Sequence, residues 1–350
     1  MKFSTIAAAG AVGFNIQKMK NHKRKIKESG RDHMEMILPD SQSDLNLRIV
    51  ENGEMKELCK KYNPSLVYFN SLFGQVYGQL AKTKFRQNVD FVFQREYLEN
   101  EDGKLVVDIA SRKCEPADGK AKVLILLHGV TGSTKDGYMV DTTGEAVSCG
   151  IDVIGYNHYA PRGEKDLRLM NMCEDKHLDE VISFARSRFS DAEIYLCGFS
   201  LGGNHVLRYL GSTALKENEH VSRHVSGAIA VSNPFDVEAT ALKLRTTHFG
   251  IYDRKIAHSL FGAFKDKRFK NQENLITDQD LKKSPKWSVW AVDNCTRAII
   301  WGYPGAHELY EETSCKGLLK HIRIPFMMIL SKDDPVALDE DVPRQEILRN

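Results

Sequence analysis

The segment Gly198-Phe199-Ser200-Leu201-Gly202 constrains this chain more than any other, because one hydrophobic period gives way to another there. Residues 193–198 form a short apolar run that predicts a buried strand, and the spacing from about 201 to 210 predicts a helix. A strand that becomes a helix across so few residues needs a strained tight turn. A side chain at Gly198 or Gly202 would collide with neighbouring backbone. The turn lifts Ser200 clear of the strand, and the following helix aims its first N–H groups at charge developing near the hydroxyl. G-x-S-x-G in that setting has the form of a nucleophile elbow, and Gly203 extends it. The competing reading is a small-residue turn that packs a helix on a sheet.

The rest of the chain supplies a matching frame. Residues 96–100 and 104–110, joined by Glu101-Asp102-Gly103, read as a β-hairpin with an Asp-Gly turn. Residues 123–127 are wholly apolar, as in a strand buried in a parallel sheet, and end at His128-Gly129. Helices are expected at 136–149 and 175–189, and strands at 152–156, 226–231 and 326–330. Short apolar strands alternating with helices imply βαβ units, hence an α/β class with a mostly parallel sheet flanked by helices. Residues 237–300 break the pattern. They are aromatic and basic, without a strand-like run, and read as a helical insertion: a lid over one end of the sheet, or a helical elaboration of the core.

Composition narrows the function classes. The 350 residues are 42% hydrophobic and 27% charged, which fits a soluble globular protein of one large domain or two. A net charge of +2 argues against a chain built to hold nucleic acid. That balance hides two basic segments. Residues 1–40 hold eight Lys/Arg against four Asp/Glu, and residues 237–300 hold twelve against seven. The seven cysteines form no C-x-x-C pair, which disfavours a zinc site or a disulfide framework and favours a reducing, cytosol-facing compartment. No metal or cofactor is expected.

Residues 6–14 are an apolar run followed by Lys18, Lys20, Lys23, Arg24, Lys25 and Lys27. The run is shorter than the roughly 20 residues that span a bilayer, and the basic cluster lies on the wrong flank for a signal peptide. It reads as an interfacial anchor held by anionic lipid, the alternative being a plain frayed helix. The expected organisation is a basic segment at 1–40, a helical lead-in at 41–95, the α/β core at 96–236, the insertion at 237–300 and the core return at 301–350.

The remaining site candidates follow from the elbow. His128-Gly129-Val130-Thr131-Gly132 closes the first buried strand, where the loop supplies a second oxyanion donor. The backbone N–H groups of Val130 and Leu201 are the candidates, with His128 and Gly129 supporting the loop as Gly198 and Gly202 support the elbow. The competing reading of the loop is an ordinary glycine turn. Ser331-Lys332-Asp333-Asp334-Pro335 follows a late strand, and Asp334 is the candidate for orienting a histidine, with Asp333 as the near alternative. Two aspartates in a solvated turn would look the same.

His-Gly-x-Thr-Gly, Gly-x-Ser-Leu-Gly-Gly-Asn, Ser232-Asn233-Pro234-Phe235-Asp236, Gly302-Tyr303 with Tyr310, and Asp-Asp-Pro occur here in one order. Together they resemble the AB hydrolase 4 family of the α/β-hydrolase superfamily, which includes membrane-associated eukaryotic lipases and bacterial esterases. Arg95-Glu96-Tyr97-Leu98 with Asp102-Gly103 resembles that family's entry hairpin, so the likeness covers roughly residues 90–345. The resemblance implies Ser200 as nucleophile, Asp334 as acid, and carboxylic esters as substrates, including acylglycerols and phospholipids. Two departures stand out. Where the family has Asn-x-Arg-Gly, this chain reads Asn157-His158-Tyr159-Ala160-Pro161-Arg162-Gly163. The fold's order is Ser, Asp, His, yet the last histidine here is His321 and none follows Asp334.

Two expectations result. One is a lipase or esterase whose recorded chain stops short of the histidine loop. The other is a non-catalytic relative that keeps the pocket to bind a lipid or protein. A peptidase or acyltransferase on the same frame is also compatible with the fold. Among histidines that could substitute, His128 and His158 end neighbouring strands, while His205 lies one turn into the elbow helix.

Overall fold

The computed structural model describes residues 90–349 except 160, 162, 217–223, 271–275, 278, 280–281, 283–287, 333 and 335. The readings for residues 1–40 and for 41–89 of the lead-in lie outside the described residues, as does the alternative acid Asp333. Seven strands form one sheet: β1 (Gln94–Asn100), β2 (Gly103–Ala110), β3 (Lys122–Leu127), β4 (Asp152–Asn157), β5 (Glu193–Phe199), β6 (Val225–Val231) and β7 (Phe326–Ile329). Their spatial order is β1-β2-β4-β3-β5-β6-β7. The entry hairpin β1–β2 joins β4 antiparallel, and every pairing from β4 to β7 is parallel.

Parallel pairing requires crossovers, and helices supply them. These are α1 (Gly137–Ser148) between β3 and β4, α2 (Lys176–Arg188) between β4 and β5, and α3 (Leu201–Leu215) between β5 and β6. The central strands are covered on both faces, which explains their continuous apolar runs: Val123, Ile125, Leu126 and Leu127 of β3 are all fully buried. Strand ends differ from the sequence reading by one or two residues. Helix α3 runs five residues past the expected Leu210, because Gly211 lets its backbone lie against Leu318, where a Cβ would come within 2.5 Å of the carbonyl oxygen.

Between β6 and β7 the chain forms α4 (Val237–Thr246), α5 (Ile251–Lys265), α6 (Val289–Cys295), α7 (Arg297–Ile300) and α8 (Ala306–Thr313). The helical character expected for 237–300 is present among the described residues and continues through α8. A single bridge, Leu167 to Phe269, is the only strand-like pairing described in it. Leu260, Phe261 and Phe264 of α5 pack with Val106 and Leu167, and Val130 and Tyr159 pack against the same cluster. The Tyr159 hydroxyl donates to the Leu260 carbonyl at 3.2 Å. The insertion is therefore seated on the loops that leave β3 and β4.

Candidate active site

Ser200 stands between β5 and α3 with φ 52° and ψ −120°, a conformation that L-residues rarely adopt. Its surroundings show why. A Cβ at position 198 would lie 2.2 Å from the Gly202 carbonyl oxygen, and one at 202 would lie 2.5 Å from that of His128. Two glycines thus let α3 start directly above the ends of β5 and β3. The Ser200 N–H donates to the Val231 carbonyl at 2.8 Å, and the Ser232 N–H donates to Ile329 at 2.8 Å. These bonds tie the elbow to the ends of β6 and β7. The hydroxyl has no hydrogen-bond partner among the described residues.

The loop after β3 lies beside it. A Cβ at Gly129 would sit 3.2 Å from the Ser200 Cβ, so the loop backbone passes the serine at contact distance. The Gly129 N–H donates to the Tyr138 hydroxyl at 2.9 Å, whose ring lies 4.9 Å from that of Phe199. Leu201 opens α3 and so has no intrahelical acceptor for its N–H, and the Val130 N–H has none among the described residues either. Leu201 follows the serine in the chain, and Val130 follows Gly129, whose backbone passes it; free N–H groups at such positions are the kind that can stabilise an oxyanion.

A buried network that the sequence reading did not single out fixes this loop. Asp108, 2% exposed, accepts from Arg95 through both oxygens at 2.7 Å, from the Asn157 amide at 2.9 Å, and from the Thr134 hydroxyl. The Thr134 N–H donates to the Asn157 side-chain oxygen at 3.1 Å. The Thr134 methyl fills the space over Gly155, where a Cβ would meet it at 2.3 Å. Burial alone disfavours the Asp108 carboxylate, but Arg95, Thr134 and Asn157 outweigh it and hold the group below its ordinary range. The available signal was one aspartate inside the apolar run Leu105–Ala110.

Three histidines lie near the elbow, all buried. His128 Nδ1 donates to the Gly129 carbonyl at 2.7 Å, and its ring stacks on that of His158 with centroids 4.1 Å apart. His158 Nε2 donates to the His128 carbonyl at 2.5 Å. His205 meets the His158 ring edge-on at 6.1 Å, and neither of its ring nitrogens has a partner among the described residues. Burial pushes all three below the ordinary histidine value, His128 to about 4. None is hydrogen-bonded to Ser200. Asp334 follows β7, and its Oδ1 accepts from the N–H groups of Val336 at 2.8 Å and Ala337 at 3.1 Å. Among the described residues no histidine meets it.

Two tests follow. Asp108→Ala leaves the Arg95 guanidinium and the Asn157 amide short of their acceptor, and urea unfolding is expected to show a loss of about 3 kcal/mol. The histidines give a pH signature. Each is neutral when folded, while the unfolded chain takes up protons below about pH 6.5. Stability therefore falls as pH drops through that value, by up to about 1.4 kcal/mol per pH unit for each histidine. The His128 contribution to that loss ends near pH 4, its folded value. His205→Leu is expected to make the decline between pH 6 and 5 (about one proton's worth) shallower, and an unaltered slope contradicts this assignment.

Comparison with known proteins accords with this geometry. A family profile described as alpha/beta hydrolase fold matches residues 122–345. The chain is 27% identical over 246 residues to the monoacylglycerol lipase of Saccharomyces cerevisiae, covering 67% of this chain and 52% of that protein. It is 22% identical to the mouse phospholipase ABHD3, covering 73% and 58%, and 23% identical to the human monoacylglycerol lipase ABHD2, covering 80% and 68%. The chain thus spans about half the length of the yeast relative. Among solved structures, the Pyrococcus furiosus esterase Pf2001 aligns with 15% identity and a TM-score of 0.45, over 74% of this chain and 79% of that one. With its mostly parallel seven-stranded sheet, its strand-to-helix serine turn and a profile match over most of its length, this chain belongs to the α/β-hydrolase fold family.

Proposed function

We propose that the chain is a serine carboxylic-ester hydrolase of the AB hydrolase 4 type, acting on lipid esters such as acylglycerols or phospholipids. The observation that carries this reading is Ser200 at positive φ in a strand-to-helix turn, with the backbone of Gly129 passing it at contact distance. Ser200 Oγ attacks the acyl carbonyl, and the carbonyl electrons move onto its oxygen. The Val130 and Leu201 N–H groups would hold that charge until the carbonyl re-forms, the bond from the acyl carbon to the alcohol oxygen breaks, and the proton from Ser200 passes to that oxygen. Water then releases the acyl group as a carboxylic acid. The insertion acts as a lid, since α5 packs against Val130 on the loop that bears one of these donors. Relatives named as lipases and a phospholipase support lipid esters as substrates.

The chemistry also needs a group that carries the serine proton. Asp334, in the loop after β7, would orient the base, and among the described residues no histidine meets it. His128, His158 and His205 are occupied or enclosed elsewhere. Without a positioned base, acyl transfer slows by several orders of magnitude, leaving the oxyanion donors and binding. A non-catalytic relative that binds a lipid or a protein is the second reading, favoured by the enclosure of His128, His158 and His205, none of which is hydrogen-bonded to Ser200.

Membrane association is part of the proposal, on a cytosol-facing surface. Among the described residues no helix is long and apolar enough to cross a membrane, so the contact would be peripheral there. The test is hydrolysis of a p-nitrophenyl ester with and without added imidazole. After subtraction of the hydrolysis that imidazole causes without protein, a slow rate that imidazole raises in the wild-type chain but not in Ser200→Ala is expected. Equal rates in the two proteins under both conditions contradict the assignment of Ser200.

A further inference from the structure

The turn between α4 and α5 has a feature that the hydrolase fold does not require. His248, Phe249 and Gly250 all have positive φ, at 49°, 59° and 68°. Only the last is a glycine, and the phenylalanine between them is 90% exposed. A bulky aromatic held in left-handed backbone and turned into solvent is costly in the isolated chain. The turn is nonetheless well held. The Arg254 guanidinium donates to the Phe249 carbonyl, and the His248 and Tyr252 rings meet edge to face at 5.4 Å. Leu242 and Ile251 on the flanking helices are about half exposed, at 47% and 48%.

The charge around this apolar tip is one-sided. From Ala239 to Lys265 the chain holds five Lys/Arg and one acid, Asp253. Lys243, Arg245, Arg254 and Lys255 are all exposed. Asp253 is 3% exposed, and its carboxylate accepts from the Val289 N–H at 2.7 Å. It is buried, and it lines one cavity together with Arg245 and Arg254. Across the surface, Glu340 lies 3.4 Å from Lys243. A cavity of about 350 Å³ opens behind Phe249, with Arg245, Arg254 and Trp290 among its walls.

We propose that this tip is a docking surface for an anionic phospholipid bilayer. Phe249, Leu242 and Ile251 enter the boundary between headgroups and acyl chains, and Arg245, Arg254 and Lys255 meet lipid phosphates. An apolar knob ringed by cations matches such a surface on both counts, because apolar burial and attraction to anionic lipid add. The proposal rests on the reading of the chain as a membrane-associated lipid hydrolase, and supplies the surface by which the insertion meets its substrate phase.

The test is co-sedimentation of the full chain, carrying Ser200→Ala so that turnover plays no part, with vesicles. One set is phosphatidylcholine alone and the other contains phosphatidylserine as well. Binding to the anionic vesicles is expected. Phe249→Asp and the double variant Arg245→Glu with Arg254→Glu are expected to lower partition roughly tenfold. The basic residues in 1–40 are common to all three proteins, so the difference isolates the tip. Urea midpoints matched to the parent exclude misfolding as the cause. No binding, equal binding to both vesicle types, or unchanged partition in both variants overturns the proposal. Because no hydrolysis is involved, failure of the catalytic reading would leave this result intact.

Discussion

The serine turn is the constraint from which the rest of the site follows. With φ 52° at Ser200, α3 must begin immediately above β5, and only hydrogen atoms at Gly198 and Gly202 leave room for the crossing. The closest approach at Gly202 is to the carbonyls that end β3, so the same contact brings the next loop to the serine. Strain at one residue is thereby distributed over three strands, through backbone bonds from Ser200 to Val231 and from Ser232 to Ile329. The arrangement persists because the surrounding sheet over-determines it.

The loop that carries Val130 is held from the opposite side by charge. Arg95 from the entry hairpin, Asn157 from β4 and Thr134 from the loop converge on Asp108 of β2. A buried carboxylate would be destabilising alone; here it has four donor groups, which makes it a positioning device for backbone amides. The Arg95 guanidinium also reaches Glu164 at 2.9 Å, which ties the hairpin to the loop after β4. The antiparallel hairpin, peripheral to the parallel sheet, therefore has a role in site geometry.

Much of this frame was legible from periodicity. The apolar runs of β3, β4, β5 and β6 were readable because strands buried on both faces admit few polar residues, and the glycines around Ser200 mark a turn that other residues would block. Other parts were hidden for physical reasons. Asp108, Thr134 and Asn157 lie far apart in sequence, and only the antiparallel β2–β4 register brings two of them together. The stacking of His128 on His158 likewise depends on the parallel β3–β4 pairing. The left-handed turn at Phe249 carries no glycine at its centre, so nothing in its composition marks it. The functional readings for residues 1–40 and for Asp333 lie outside the described residues.

Everything in the proposed chemistry turns on Ser200 as the residue to which an acyl group is transferred. The most direct measurement is mass spectrometry of peptides after incubating the full chain with an activated phosphonate in imidazole buffer. A single adduct on the peptide bearing Ser200, absent from Ser200→Ala, is expected. An adduct that persists in Ser200→Ala, or an unmodified Ser200 while another serine is labelled, would contradict it.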